Sequence, residues 1–489
     1  MLPFNNKGLP VEARFATNSR TPLLLVTAFL AMGLAGCMVG PNYKRPDVAP
    51  VKEFRSQVGP SEASSLADQP WWQVFNDKAL QTLISEGLTN SYDLQAAVAR
   101  IDEANAQVGI VRADLYPRAD YQAFAARQKS LVPINPPVNF TYNTFGLAAS
   151  AAWEADVWGR IRRSTEAASA NLFAQEDVRR AVMLRLVSDI AAGYFLLLEL
   201  DRELAIAQDS ADVYRKTTDL FSQRFEAGRD SKLGVVRAQA NLDSSTATIA
   251  ALKRAITQQE NALCVLIGAY PHPIARGAML TQQSTPATPA GLTTDLLERR
   301  PDILQAEQVM VGANAEIGVA VANYFPRIGL SALFGWEATR PEDLFKSSFS
   351  VWGLAANLTG PIFQGGRLKA AQAAQEAFWR ESIAQYKKTV TVAFQETSDA
   401  LIAQQTLVGQ REAQERQVAS LRESVDLALQ RYDAGRATYF EVLEAEQQLF
   451  PSEDALAQTQ RDQLVAVVNL YKALGGGWKL KDEEWHQPH

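Results

Sequence analysis

The 489-residue chain has two cysteines, three histidines and six methionines, and these low counts exclude several classes of function. Two cysteines, Cys37 and Cys264, cannot supply a disulfide framework. The histidines lie in Pro-rich or terminal segments without a second ligand at metal spacing, so we expect no metal site. They are His272, His486 and His489. Methionine is too scarce for a copper or silver relay.

A basic surface is also missing. The formal net charge is −6 and the pI is about 5.4, which gives no electrostatic footprint for nucleic acid. The sequence has no phosphate-binding glycine loop and no paired Ser/His arrangement. We therefore expect neither an enzyme nor a nucleic-acid partner, and no cofactor.

The N-terminus is the most informative local feature. Residues 1–36 read as a signal peptide, because basic residues precede a run of about 16 apolar residues, fewer than the roughly 20 that span a bilayer. The stretch LAGC resembles a bacterial lipobox, so Cys37 is expected to become the first mature residue and to carry an N-terminal acyl chain and a diacylglycerol lipid. An ordinary cleaved signal is the alternative. Met38 stands where an Asp would resemble an inner-membrane retention signal, which favours the outer membrane.

A tandem duplication organises the rest of the chain. The segment RFEAGRDSKLGVVRAQANL, from Arg224, returns 207 residues later as RYDAGRATYFEVLEAEQQL, from Arg431. Farther upstream, matching pairs are 209 residues apart. The repeats are 90–268 and 299–475. The other segments are an extended stretch and equatorial helix at 37–89, a linker at 269–298 and a tail at 476–489.

Each repeat predicts a β-hairpin followed by a hairpin of long helices. The β-hairpins fall at about 117–157 and 326–362. The helical hairpins fall at about 160–268 and 366–475, with tips near 228 and 435. Apolar or small residues recur at alternating spacings of four and three along the first long helix, as in a coiled coil. An uninterrupted helix of about 68 residues would be roughly 100 Å long.

The strand-like segments alternate between the two faces and have about the 9–11 residues of a tilted transmembrane strand. Soluble hairpins fit the periodicity equally well. In lipid, a sheet must close on itself, and four strands are too few. Two copies would give eight strands and a filled interior, whereas three give twelve and more room for a lumen. The number of strands therefore favours a homotrimer.

Several stretches of the sequence are distinctive: LAGCMVGPNYKRP, PWWQVFNDKALQTLI, WEADVWGRIRR, LLERRPDILQAEQVMVGANAEIGVAVANYFPRIGL, GPIFQGGR and both tip segments. Together they resemble the lipoprotein branch of the outer membrane factors of tripartite efflux pumps. They cover essentially the whole mature chain.

The resemblance implies an α+β membrane protein. Its trimer would have a twelve-stranded transmembrane β-barrel, four strands per chain, continuous with a long periplasmic α-helical barrel. A periplasmic adaptor protein and an inner membrane transporter, often of the resistance-nodulation-division type, would complete the pump. Function would be passive conduction of small molecules across the outer membrane, with energy supplied by the inner-membrane partner.

In related channels the tips lie where the tunnel constricts and the adaptor docks. The positions expected at that surface are Gly228, Arg229, Tyr432, Asp433, Gly435, Arg436 and Thr438. Glu441 and Glu444 are three apart, on one helical face, and replace Gly234 and Arg237 of the first copy. By position they match family carboxylates that line the constriction, so threefold symmetry would stack two acidic rings as a gate.

Two other readings compete with efflux. The same architecture could serve a type I protein exporter. A coiled-coil lipoprotein without a pore could anchor or space the envelope. Conductance in planar bilayers separates the spacer from both channels, because a spacer forms no barrel.

Overall fold

The computed structural model describes residues 38–47, 53–55, 65–132, 138–283, 296–477, 480 and 485. The predicted signal peptide, residues 1–36, and the predicted lipidation site, Cys37, lie outside the described residues. The chain forms two compact units, and each takes segments from both repeats. Of the described residues, 38–43, Val108–Ala168 and Ala313–Ala377 belong to the sheet unit, and the others belong to the helical unit.

The helices reproduce the duplication. In chain order they are α1 (Trp71–Val74), α2 (Lys78–Asn90), α3 (Tyr92–Ala113), α4 (Arg160–Glu226), α5 (Lys232–Leu266), α6 (Leu296–Arg299), α7 (Pro301–Ala322), α8 (Arg367–Asp433) and α9 (Tyr439–Ala473). The bounds of α3 and α7 differ by 209 residues, and those of α4 and α8, and of α5 and α9, by 207. The internal sequence repeat is therefore also a repeat of secondary structure.

The sheet unit contains four antiparallel strands in the order β1-β2-β3-β4. They are β1 (Arg118–Val132), β2 (Val138–Ala155), β3 (Arg327–Ala338) and β4 (Ser350–Thr359). β2 pairs with β3 from Phe145↔Ala338 to Ala155↔Ile328, which joins the hairpins of the two repeats into one sheet. β1 and β4 each have one partner strand, so the sheet has two edges with unpaired backbone groups.

The two faces of the sheet differ in chemistry, and the strand register fixes which residues share a face. The first face, which we call the apolar face, carries Ala119, Tyr121, Ala123 and Ala125 on β1; Phe145, Leu147, Ala149, Ala151 and Trp153 on β2; Ile328, Leu330, Ala332, Phe334 and Trp336 on β3; and Trp352, Leu354, Ala356 and Leu358 on β4. The opposite face is more polar and includes Arg118, Asp120, Gln122, Ser150, Glu154, Glu337 and Asn357, together with several glycines and the apolar Phe124, Leu333 and Val351. This division is the one expected of strands with lipid on one side and a polar interior on the other.

The first two strands are longer than predicted. β1 has 15 residues and β2 has 18, against the 9–11 expected from the apolar pattern. The additional residues continue the hairpin beyond the last pairing between β2 and β3, at Phe145.

The first described residues are docked in the sheet unit against a buried arginine. Arg163 is 1% exposed, and its guanidinium donates to the Val39 carbonyl (3.3 Å), to Asn42 Oδ1 (2.7 Å) and to Glu166 Oε2 (2.8 Å). Gly318 makes room for this side chain, since a Cβ there would lie 2.8 Å from Arg163 Cδ. The N-terminal segment thus supplies two of the acceptors of a buried charge, which would otherwise be costly to bury.

The helical unit has a hydrophobic core in which α1 and α2 pack with the middle of α4, the end of α5 and the end of α9. Trp71 is fully buried and donates from Nε1 to the Trp485 carbonyl at 3.3 Å. One stretch of α4 is long and apolar enough to cross a membrane, but 61% of it is buried inside the protein. It is therefore typical of a helix in a protein core.

Asp77 ties the linker between the repeats to this core. Its Oδ1 caps α2 by accepting from the amides of Ala79 (2.9 Å) and Leu80 (3.3 Å). Its Oδ2 accepts from the Ala278 amide (3.1 Å) and from Tyr194 Oη (3.2 Å). A buried carboxylate with this many donors is well compensated, so the role of Asp77 is structural.

Candidate gate and docking site at the helix tips

The two helix tips have the same backbone geometry. Gly228 and Gly435 follow α4 and α8 with φ of 68°, in the left-handed region that glycine adopts without strain. The amides of Arg229 and Arg436 each bond to the carbonyl five residues earlier, at 2.8 Å, and the glycine amides bond three residues back, at 2.9 Å. This is a Schellman motif. The shared Ala-Gly-Arg sequence therefore ends each long helix and turns the chain into the next one.

Most of the predicted docking residues are exposed. Gly228, Arg229, Asp433, Gly435, Arg436 and Thr438 are all open to solvent. No Cβ contact would arise at either glycine. Thr438 has extended backbone and precedes α9, the position of an N-cap, although its side chain makes no capping hydrogen bond.

Tyr432, also predicted at the docking surface, is engaged within the chain. Its hydroxyl accepts from Arg224 Nη1, and its ring lies 4.8 Å from the Arg224 guanidinium carbon, a cation–π geometry. The ring also packs edge-on against Tyr439, with centroids 5.4 Å apart. Tyr432 is half-buried, so it holds the first tip to the second.

Tyr439, the first residue of α9, makes the second link between the tips. Its hydroxyl lies 2.7 Å from Thr217 Oγ1 on α4. Its ring packs edge-on against Phe221, with centroids 4.8 Å apart. Phe221 in turn lies against Gly234, where a Cβ would come within 3.1 Å of the ring. The absence of a side chain at Gly234 therefore has a packing reason, and it accounts for one of the two differences between the repeats.

Glu446 is a buried carboxylate two turns along α9. It is 2% exposed and accepts from Tyr439 Oη at 3.4 Å, a weak bond. Burial raises the pKa of Glu446 to about 7. Burial, followed by the Glu446 charge, raises the pKa of Tyr214 to about 12. The carboxyl group therefore titrates near neutral pH inside the tip packing.

Glu441 and Glu444 lie on the same side of the first turns of α9, as their spacing requires. Glu444 is exposed and Glu441 is half-exposed. Glu441 Oε2 lies 3.4 Å from Arg431 Nη1 on α8, so its charge is partly balanced within its own hairpin. An exposed pair of this kind contributes little to stability, which leaves both carboxylates able to interact with ions or with other copies of the chain.

Sequence reasoning found the turns and the exposed carboxylates but missed Thr217, Tyr439 and Glu446. A comparison of the two repeats could have indicated Tyr439 and Glu446, because the first repeat has Lys232 and Gln239 at the equivalent positions. Those differences are as informative as the pair at Glu441 and Glu444. Thr217 gave no signal, since its partner is 222 residues away.

Elsewhere, the described residues contain no cluster of three or more His, Cys, Asp or Glu side chains that could hold a metal ion. Cys264 is fully buried in the helical unit. Its Sγ lies 3.4 Å from His272 Nδ1, a pair with no third ligand among the described side chains.

A four-stranded sheet with an apolar face and open edges, joined in sequence to long helical hairpins, defines the class: an outer membrane channel protein with a periplasmic helical extension. The chain belongs to the outer membrane efflux protein family, whose profile matches residues 83–269 and 292–476. The two matches coincide with the two repeats. The fold class predicted from sequence, that of a trimeric twelve-stranded barrel continuous with a helical barrel, is confirmed.

The similarity to known outer membrane channel proteins extends over most of the chain. The chain is 34% identical to the probable efflux pump outer membrane protein TtgC of Pseudomonas putida, over 93% of this chain and 95% of that protein. It is 32% identical to the cation efflux system protein CusC of Escherichia coli, over 94% and 100%. The open state of the Neisseria gonorrhoeae MtrE outer membrane channel is similar in structure, with a TM-score of 0.81, 30% identity, and coverage of 91% of this chain and 99% of that chain. The predictions of an outer membrane location and an efflux channel are confirmed.

Proposed function

We propose that three copies of this chain form a passive conduit that is closed at the helix tips by Glu441 and Glu444. A periplasmic adaptor docks on the tips, and an inner membrane transporter, of the resistance-nodulation-division type, loads small molecules into the conduit. A lipid on Cys37 adds an anchor in the outer membrane. The observation that carries the gate is that the second tip, unlike the first, presents two carboxylates on one face of its helix.

The assembly follows from the sheet edges. β1 and β4 end the sheet with unpaired backbone groups, which cannot be left open in lipid. Pairing of β4 with β1 of the next copy satisfies them, and three copies close twelve strands. Around a threefold axis each carboxylate of the tip becomes a ring of three. Closely spaced rings attract cations and repel one another, which favours either bound cations or opening.

Recordings from full-length protein in planar bilayers test the gate. The double substitution Glu441→Ala and Glu444→Ala should lower cation selectivity and raise the conductance of the closed state. The matched control is Asp219→Ala with Glu226→Ala, which removes the same charge from exposed positions of α4. The gate assignment is wrong if the two double variants behave alike.

The docking surface is tested separately. Arg229→Glu and Arg436→Glu reverse exposed charges beside the two glycine turns without removing a contact that holds the tips together. Cross-linking of the adaptor to the channel in cells should fall for both variants, while conductance in bilayers stays at the wild-type level. Unchanged cross-linking would place the adaptor elsewhere on the helices.

A further inference from the structure

The β1–β2 hairpin continues past the rest of the sheet, and its apolar face changes character there. Along β1 this face carries Ala119, Tyr121, Ala123 and Ala125, and the next two residues on it are Arg127 and Lys129. On β2 the corresponding partners change from Phe145 to Asn143 and Thr141. The switch from apolar to cationic is thus confined to a single step, between Ala125 and Arg127.

The position of this step matches the edge of the hydrocarbon layer. Arg127 follows Ala119 by eight residues, or about 27 Å along an antiparallel strand at 3.4 Å per residue. A strand tilt of about 40° reduces this to a height of about 21 Å, close to the apolar band of about 25 Å of outer membrane barrels. Arg127 therefore stands where lipid head groups begin.

The chain connectivity identifies the leaflet. The helices precede β1 and follow β2 at Arg118 and Ala155, so those strand ends face the periplasm. Arg127 and Lys129 lie at the opposite end of the hairpin, toward the cell exterior. The outer leaflet on that side of a bacterial outer membrane is built from a phosphorylated glycolipid.

The charges on this surface are free to bind an anion. Arg127 and Lys129 are exposed, and within the described residues neither forms an ion pair. They are two residues apart on one face, about 7 Å along the strand. Past Ala125, the described apolar-face positions of β1 and β2 include no acidic side chain. Pairing of the β1 edge with another copy would use backbone groups and leave these side chains facing lipid.

We propose that Arg127 and Lys129 form a binding site for the phosphate groups of the outer-leaflet glycolipid. Arg donates in a planar fork that matches phosphate, and Lys adds a second positive charge. Basic residues directly beside a hydrocarbon layer attract anionic head groups. The site would fix the depth of the barrel and the orientation of the projecting hairpin. This inference rests on the location of the sheet in the outer membrane and is independent of the gate.

Native mass spectrometry of the full-length channel tests the site. Wild-type protein is compared with Arg127→Gln/Lys129→Gln in micelles containing bisphosphorylated lipid A, its dephosphorylated form or phosphatidylglycerol. We expect bound bisphosphorylated lipid A on the wild type and a roughly thirtyfold lower affinity in the double variant. The exchange Arg127→Lys/Lys129→Arg should retain binding and shows that the hairpin folds.

A matched control removes one lysine and one arginine from exposed positions of α5, in Lys253→Gln/Arg254→Gln, and should bind as the wild type does. Equal retention of lipid A by Arg127→Gln/Lys129→Gln would overturn the site. Equal binding of phosphatidylglycerol by the wild type would overturn the assignment to the glycolipid, since any anionic lipid would then suffice.

Discussion

Thr217 Oγ1 and Tyr439 Oη lie 2.7 Å apart although the two residues are separated by 222 positions in the chain. This bond joins α4 of the first helical hairpin to the first residue of α9 in the second. The cation–π contact between Arg224 and Tyr432 makes a second link nearby. The tip that carries Glu441 and Glu444 is therefore held to the other tip of the same chain.

Tyr439→Phe tests this bond while the ring stays in place. The change removes the hydroxyl contacts with Thr217 and Glu446, at a cost of about 1 kcal/mol in a typical case. We expect a higher conductance of the closed state and more frequent openings in planar bilayers. Tyr270→Phe, at a 93% exposed position, is the control. Equal traces for both variants would show that the bond does not restrain the tip.

Glu446 predicts a pH dependence of tip packing. Its pKa is raised from 4.5 to about 7 by burial, so the folded tip binds a proton more tightly than the unfolded one. The resulting stabilisation is complete below pH 4.5 and is lost as pH rises through about 7, a span worth on the order of 3 kcal/mol. Hydrogen exchange of the first turns of α9 should therefore speed up between pH 5 and 8, after correction for intrinsic rates.

Glu446→Gln keeps the shape of the side chain and removes the titration. Its corrected exchange rates should be flat over the same range. Glu423→Gln, at an exposed position of α8, should keep the wild-type dependence. If exchange in the Glu446→Gln variant still depended on pH, the effect would belong to another titrating group. The neighbouring Tyr214 and Tyr439 could not supply it, because burial raises the pKa of both hydroxyls above the range tested.

A proline, Pro451, occurs in α9 about one turn beyond Glu446. It lies inside the helix and lacks the amide that would bond to the carbonyl of Gln447. The same position in α5 is Ser244, so only the second tip has this weak point. Pro451→Ala should stiffen the segment that carries Glu441 and Glu444, and reduce the number of transitions between conductance levels.

Ser244→Ala is the matched control, since it alters the equivalent position of the first repeat without restoring a backbone bond. Its conductance traces should resemble those of the wild type. Unchanged switching in Pro451→Ala would mean that the gate moves without bending at this proline.

Gly318→Ala tests the docking of the N-terminal segment. The new Cβ would lie 2.8 Å from Arg163 Cδ, and overpacking of this kind typically costs about 1–3 kcal/mol. The heat-modifiable form of the protein should disappear at a lower temperature on unheated gels. Gly109→Ala, where a Cβ meets no atom within 4 Å, should not lower it. If the Gly318→Ala variant kept the wild-type transition temperature, Arg163 would be able to move aside without a loss of stability.

Much of this architecture is local and was readable from the sequence. The period of two in the strands, the spacings of three and four in α4, and the Ala-Gly-Arg turns each depend on residues close together in the chain. The duplication then placed the second copy of each element. The lengths of β1 and β2 were underestimated because the apolar pattern ends at Ala125 and Phe145, while the backbone pairing continues beyond them.

The sequence by itself determined the repeat, the class of each element and the residues that stand at the tips. The tertiary structure decided which residues meet across the repeats: Thr217 with Tyr439, Arg224 with Tyr432, and β2 with β3. It also decided that Arg163 and Glu446 are buried, which the sequence pattern did not predict. Periodicity predicts which side of a helix or strand is buried, because it depends only on neighbouring residues. Which other helix or strand covers that side depends on how segments distant in the chain pack, and the fit of their side chains sets that pairing.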